Sequence, residues 1–291
     1  MWKSSGETAV SNPRQSLMRR LRLMRILVAA FVLCGLTLSF ADFTGAIASN
    51  LKWLARIQFM PAVLALSLWT IAAILALTFL FGRVYCSLVC PLGILQDLFF
   101  FFGRLFGVRQ SAAAPGSRAV FNVVRGALLL VFLAGGFLGL HFQWLEPYAI
   151  YSRFASVVVS PLARMGNNAL AEWAARNSSY AFHAVECVAP AMAVVVASAG
   201  LAAIAAALAV WRGRVWCNTV CPVGTMLAGA ARVALVKPKI DGEACVKCGM
   251  CARACKGRCI DVEKGRIDLT RCVACFDCGA VCGKGAISWS K

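Results

Sequence analysis

The sequence predicts an all-α membrane domain of four transmembrane helices, arranged as two repeated hairpins, followed by a small α+β domain. Three observations carry this reading: four apolar blocks, a doubled cysteine motif, and an abrupt change of composition at Lys237. Of 291 residues, 60% are apolar and 14% charged, against about 45–50% and 25% in globular chains. Mean hydropathy is +0.75. A disordered chain, a fibrous repeat and a small disulfide-stapled secreted domain are excluded by these values.

A spanning helix needs about 20 mostly apolar residues, and residues 23–41, 60–81, 120–140 and 187–211 qualify. Asp42 closes the first block, which is longer than the apolar core of a cleavable signal and lacks a good cleavage site. The fourth is rich in Ala and Val, small enough for close helix approach. Residues 1–22 form a basic arm, residues 23–236 the membrane domain and residues 237–291 the tail. Lys and Arg cluster in the arm, in the loop after the second block (Arg83, Arg104, Arg109, Arg118) and after the fourth (Arg212, Arg214, Arg232). The intervening loops are nearly balanced, so both termini are expected in the cytoplasm of a bacterial inner membrane. That bias and anionic lipid account for the net charge of +18 without nucleic acid.

The repeat follows the second and fourth blocks: GRVYCSLVCPLG over residues 82–93 and GRVWCNTVCPVG over residues 213–224. Cysteines at i and i+4 share a helix face, and Pro91 and Pro222 are suited to open new helices. The stretch after Pro91 is too short and too Arg-flanked to span and reads as an interfacial helix. Cys86, Cys90, Cys217 and Cys221 are expected to converge at the membrane edge as a third cluster, a soft-metal site such as Cu(I), or a dithiol pair. Cys34 and Cys187 read as ordinary buried thiols.

The tail carries Cys245-x2-Cys248-x2-Cys251-x3-Cys255 and Cys272-x2-Cys275-x2-Cys278-x3-Cys282. Each run places three thiolates on one [4Fe–4S] cube and sends its fourth cysteine to the other. Cys245, Cys248, Cys251 and Cys282 are thereby assigned to one cluster, and Cys272, Cys275, Cys278 and Cys255 to a second. Zinc sites favour two Cys pairs with a longer gap, and the cytoplasm disfavours disulfides. Cys259 is a ninth cysteine, aligned with Ala286 of the second run; it is either a packed small residue or an alternative ligand to Cys255.

The tail resembles the two-cluster bacterial ferredoxin domain, except that Lys256 and Gly283 replace the usual proline after the fourth cysteine. The whole plan resembles the NapH family of ferredoxin-type membrane proteins, with which MauN and parts of NosR and CcoG share the CxxxCP-plus-ferredoxin organisation. That resemblance implies an electron-transfer component of a quinol-linked oxidoreductase system, passing electrons between the quinone pool and a partner iron–sulfur or other redox protein. The alternative is a cupric reductase or metal-centre assembly factor using the CxxxCP thiols. For a quinone, His141 and Glu146 stand out among aromatics at the exit of the third block. No nucleotide-binding glycine pattern, catalytic triad or CxxCH haem motif is present.

Overall fold

The computed structural model describes residues 13–108, 118–137, 145–177, 183–187 and 190–290. Helix α1 (Pro13–Ala41) runs 29 residues and stops where Asp42 takes over. The Asp42 carboxylate accepts from the backbone N–H groups of Thr44, Gly45, Ile47 and Ala48, ending one helix and capping α2 (Ala46–Arg56). Gly35 of α1 lets the two helices close, since a Cβ there would stand 2.6 Å from Leu54 Cδ1.

The second apolar block is not one helix. It is divided into α3 (Phe59–Leu64) and α4 (Leu68–Phe81) by a turn in which Leu66 takes φ 51° and Ser67 N–H donates to Ala62 O. Hydropathy counts side chains and carries no information on that left-handed backbone. Helix α7 (Arg118–Phe137) occupies the third block, with a shorter apolar stretch at 122–135. Helix α10 (Met192–Arg212) fills the fourth. Among the described residues α1 and α10 are long and apolar enough, by themselves, to cross a bilayer. The segment read as an outer loop is largely helical: α8 (Pro147–Phe154) continues through a π-helical turn at Ala155–Val159 into α9 (Ser160–Arg176).

The repeat is structural as well as sequential. Gly82 and Gly213, at φ 79° and 67°, end α4 and α10 in a conformation that L side chains rarely adopt. A short helix follows in each unit, α5 (Tyr85–Leu88) and α11 (Val215–Thr219). Cys90 and Cys221 are extended, and Pro91 and Pro222 open α6 (Pro91–Leu105) and α12 (Pro222–Ala231). Helix α6 is more than an interfacial strip. It packs along α10, where a Cβ on Gly103 would be 3.0 Å from Val210 O, and turns Leu98, Phe101, Phe102 and Leu105 outward.

The tail is α+β. Strand β1 (Lys237–Ile240) pairs antiparallel with β4 (Ile287–Ser290), and β2 (Ile260–Asp261) with β3 (Arg266–Ile267). Short helices α13 (Met250–Ala254) and α14 (Asp277–Val281) lie between. The tail is built onto the helical part. Leu235 and Val236 N–H donate to Phe79 and Leu80 O, Gln15 Nε2 to Ala280 O, and Arg22 pairs with Asp277 at 2.7 Å.

Candidate functional site

Cys86, Cys90, Cys217 and Cys221 are brought together, each at most 3% exposed. They are not at an exposed edge. Cys86, Cys90 and Cys221 share one core with Phe59, Ile74, Ile150 and Ala205 of the helical part and with Val273 and Cys275 of the tail. Gly224 N–H donates to Cys221 Sγ at 3.2 Å, and Gly93 N–H does the same for Cys90. No side chain fits at either glycine: a Cβ would lie 2.3 Å from Cys86 O or 2.2 Å from Cys217 O.

Arg83 and Arg214 precede these cysteines, and the charge bias counts them as loop charges at the cytoplasmic face. They are instead 0% and 1% exposed. Arg83 Nη1 donates to Asn218 Oδ1 (2.7 Å) and Thr270 O (2.9 Å), and its Nη2 to Cys217 O (3.0 Å) and Cys86 Sγ (3.9 Å). Arg214 Nε donates to Asp97 Oδ1 (2.7 Å) and Nη1 to Cys86 O (2.6 Å). Asp97 also meets Arg25 at 2.7 Å and Lys256 at 3.1 Å. Burial alone would raise the Asp97 carboxyl, but Arg214, Lys256 and Arg25 hold it well below the usual carboxylate range.

Among the described residues Arg83 has no carboxylate partner, and Arg83 Nε and Arg214 Nη2 are buried without acceptors. A buried cation needs a counter-charge, and four adjacent thiols are suited to supply one as thiolates. The donor set at this core therefore fits a sulfur-ligated anionic group. No three or more described His, Cys, Asp or Glu side chains converge closely enough for a single metal ion.

In the tail, Cys245, Cys248, Cys251 and Cys282 line a cavity of about 430 Å³. The Cys251 thiol is raised by burial and by Cys282, Cys245 and Cys248 around it. The second assigned set is also gathered: Cys278 is pushed up by burial and then by Cys275, Cys255 and Cys272. Cys282 thus stands beside the first run and Cys255 near the second. Thiol-only sets, one around a cavity, fit cubic clusters in which each thiolate binds a different iron. Cys259 belongs to the second group, its Sγ 3.3 Å from Cys255 Sγ. That contact lowers the Cys255 thiol to about 7, and Cys259 lowers Cys272 as well.

Glu146 is buried at the N-terminus of α8, where its carboxylate accepts from Ala149 N–H. Burial pushes its pKa up to about 7. His141 lies outside the described residues. Cys34 and Cys187 are exposed rather than buried. Sequence reasoning missed Asp97, Tyr85, Gln58 and Gln96. Tyr85 Oη donates to Gln58 Oε1 (3.0 Å) and accepts from Phe59 N–H (2.8 Å), fastening the first CxxxCP to α3. Asp97 stood out in the sequence as an acid among arginines; the buried glutamines gave no signal.

A family described as a 4Fe-4S binding domain matches twice, over residues 61–109 and 193–241. Both matches fall on the CxxxCP units, and the eight-cysteine tail lies beyond them. An uncharacterized protein of Methanocaldococcus jannaschii is 44% identical over 75 residues, 26% of this chain and 30% of the relative. YccM of Escherichia coli, named for a role in electron transport, is 23% identical over 239 residues, 80% of this chain and 58% of the relative. The ferredoxin-type protein NapH of Escherichia coli is 28% identical over 250 residues, 80% and 71% respectively. The chain therefore spans less than two thirds of the first two relatives. No solved structure matches it. Over most of its length the chain is thus similar to the ferredoxin-type protein NapH and to YccM.

Proposed function

We propose that the chain is a multi-pass iron–sulfur electron carrier of a bacterial inner membrane, relaying electrons between the quinol pool and a partner redox enzyme. Residues 23–236 form its membrane part, with both termini cytoplasmic. Cys245, Cys248, Cys251 and Cys282 hold one [4Fe–4S] cluster, and Cys255, Cys272, Cys275 and Cys278 a second. Cys86, Cys90, Cys217 and Cys221 hold a third centre. One observation carries the reading: the Arg83 guanidinium touches both Cys86 Sγ and Thr270 O, two residues before Cys272. Thiol core and tail thus share one buried cation and one water-excluding core.

Such clusters, when bound, supply outer-sphere one-electron transfer. Burial supports an order for the sites. The set containing Cys275 is buried against the thiol core, whereas the set containing Cys248 opens outward beside exposed Val246 and Met250. A partner would approach at that apolar rim.

The test is iron, sulfide and copper content with EPR on anaerobically purified protein, beside a variant with Cys86, Cys90, Cys217 and Cys221 all changed to Ser. About twelve iron per chain, falling to about eight in the variant, is expected. About eight in both removes the third centre and leaves the carrier. Copper lost with those four cysteines overturns the proposal in favour of a metal reductase.

A further inference from the structure

Between α6, α8 and α10 lies a cavity of about 190 Å³. Leu92, Phe99, Ile150, Phe154 and the alanine face of α10 make its wall almost wholly apolar. Gln96 also lines it, 1% exposed, and neither its Oε1 nor its Nε2 has a partner among the described residues. A buried amide with both ends unpaired is costly. Apolar cavities do not retain water well enough to satisfy it. The remaining polar wall residue, Tyr151, is already engaged with Thr37 Oγ1 at 2.7 Å. One donor and one acceptor thus stand side by side in an apolar slot that no charged side chain lines among the described residues.

This chemistry selects a ligand. A charged headgroup finds no counter-ion here, and a plain acyl chain leaves Gln96 unpaired. A flat neutral ring bearing carbonyl or hydroxyl oxygen satisfies both. Leu92 and Ile150 belong at once to this cavity and to the core around Cys90 and Cys221. A ring held here would be separated from the thiols by a single layer of side chains. Exposed Ala203 lies on the rim, where α10 gives access from the lipid side.

We propose that this cavity binds the head ring of a membrane quinone, with Gln96 Nε2 donating to a ring oxygen and Oε1 accepting from a quinol hydroxyl. The assignment rests on the quinol-linked reading above and moves the site away from Glu146, which does not line the cavity; His141 lies outside the described residues. The experiment is calorimetric titration of the full-length protein in nanodiscs with decylubiquinone, for wild type, Gln96→Leu and Ala203→Phe. Wild type is expected to bind, Gln96→Leu about tenfold more weakly, and Ala203→Phe not measurably. Without ligand, Gln96→Leu is expected to melt no lower than wild type, because it removes an unpaired buried amide; that melting curve also establishes that the variant folds. Binding by wild type with unchanged affinity in both variants overturns the site and leaves the quinol reading standing. No binding by wild type overturns both.

Discussion

Arg83 and Arg214 are exchanged across the internal repeat: Arg83 donates to the carbonyl of Cys217 at 3.0 Å, and Arg214 to that of Cys86 at 2.6 Å. Each unit's arginine thus locks the other unit's cysteine turn, and the glycines that close the motif exist to let the guanidinium and carbonyl pass. The symmetry stops at charge. Six residues beyond the proline, the first unit has Asp97 and the second Ala228, so one arginine is given a carboxylate and the other is left for the thiols.

Asp97 is the sole acid paired with Arg25 and Arg214 among the described residues, and it shares Lys256 with Asp277. Asp97→Asn would leave the buried Arg25 and Arg214 without a counter-charge. A loss of about 3–5 kcal/mol is expected, seen as a large fall in the melting temperature of the detergent-solubilised protein. Arg22→Ala, which removes a half-exposed arginine from Asp277, should cost about 1 kcal/mol or less. Equal falls in the two would contradict the central place given to Asp97.

Lys256 stands where ferredoxin-like sequences commonly have proline, and the structure gives the reason. Its Nζ bridges Asp97 at 3.1 Å and Asp277 at 2.9 Å, while its carbonyl accepts from Arg214 N–H. Lys256→Met should keep the tail's cysteine sets intact but loosen its seat on the helical part, by about 1–2 kcal/mol. Hydrogen exchange would show this as faster opening across α14 and the N-terminal turns of α1, with β1 and β4 unchanged.

The Cys259 thiol is placed to donate to Cys255 and Cys272. Cys259→Ala should leave iron content intact. Losing such a hydrogen bond disfavours the more negative, reduced state, so the midpoint potential of the adjacent cluster should fall by about 40 mV, the equivalent of about 1 kcal/mol. An EPR-monitored redox titration reads the shift; loss of iron instead would make Cys259 a ligand.

Glu146 gives a pH signature. Burial raises its folded pKa to about 7 from an ordinary 4.5, with Tyr85, Tyr148 and Arg153 as its charged or titratable neighbours. Between those values the folded protein holds a proton that the unfolded chain releases, so stability falls as pH rises from about 4.5 to 7 and levels off above. The loss should reach about 3 kcal/mol. Melting curves of Glu146→Gln should lack this slope.

Much of the site was legible because cysteine spacing is a short-range code. The Cys-x2-Cys-x2-Cys-x3-Cys runs mark the tail's cysteine sets, and the doubled GRV…CP segments announce a symmetric pair. Proline before α6 and α12 was readable for the same local reason. What escaped was decided by backbone or by distant partners. The break at Leu66 is a matter of φ, to which apolar counting is blind. Arg83 looks like any cytoplasmic-side arginine until Thr270, 187 residues away, closes over it. Helix α9 was hidden in a stretch mixing polar and apolar residues, and Gln96 was one polar letter in an apolar helix.

Helix α1 meets the tail through Gln15, Met18 and Arg22, and Gln15 lies 265 residues from its acceptor, Ala280. During synthesis this helix emerges early and waits unpartnered on that face until α14 has been made. The tail therefore cannot be clasped before its last cysteine-bearing turn has left the ribosome. The cavity lined by Cys245, Cys248, Cys251 and Cys282 is likewise complete only once Cys282 has been made, so the clasp and that cysteine set both close late in synthesis.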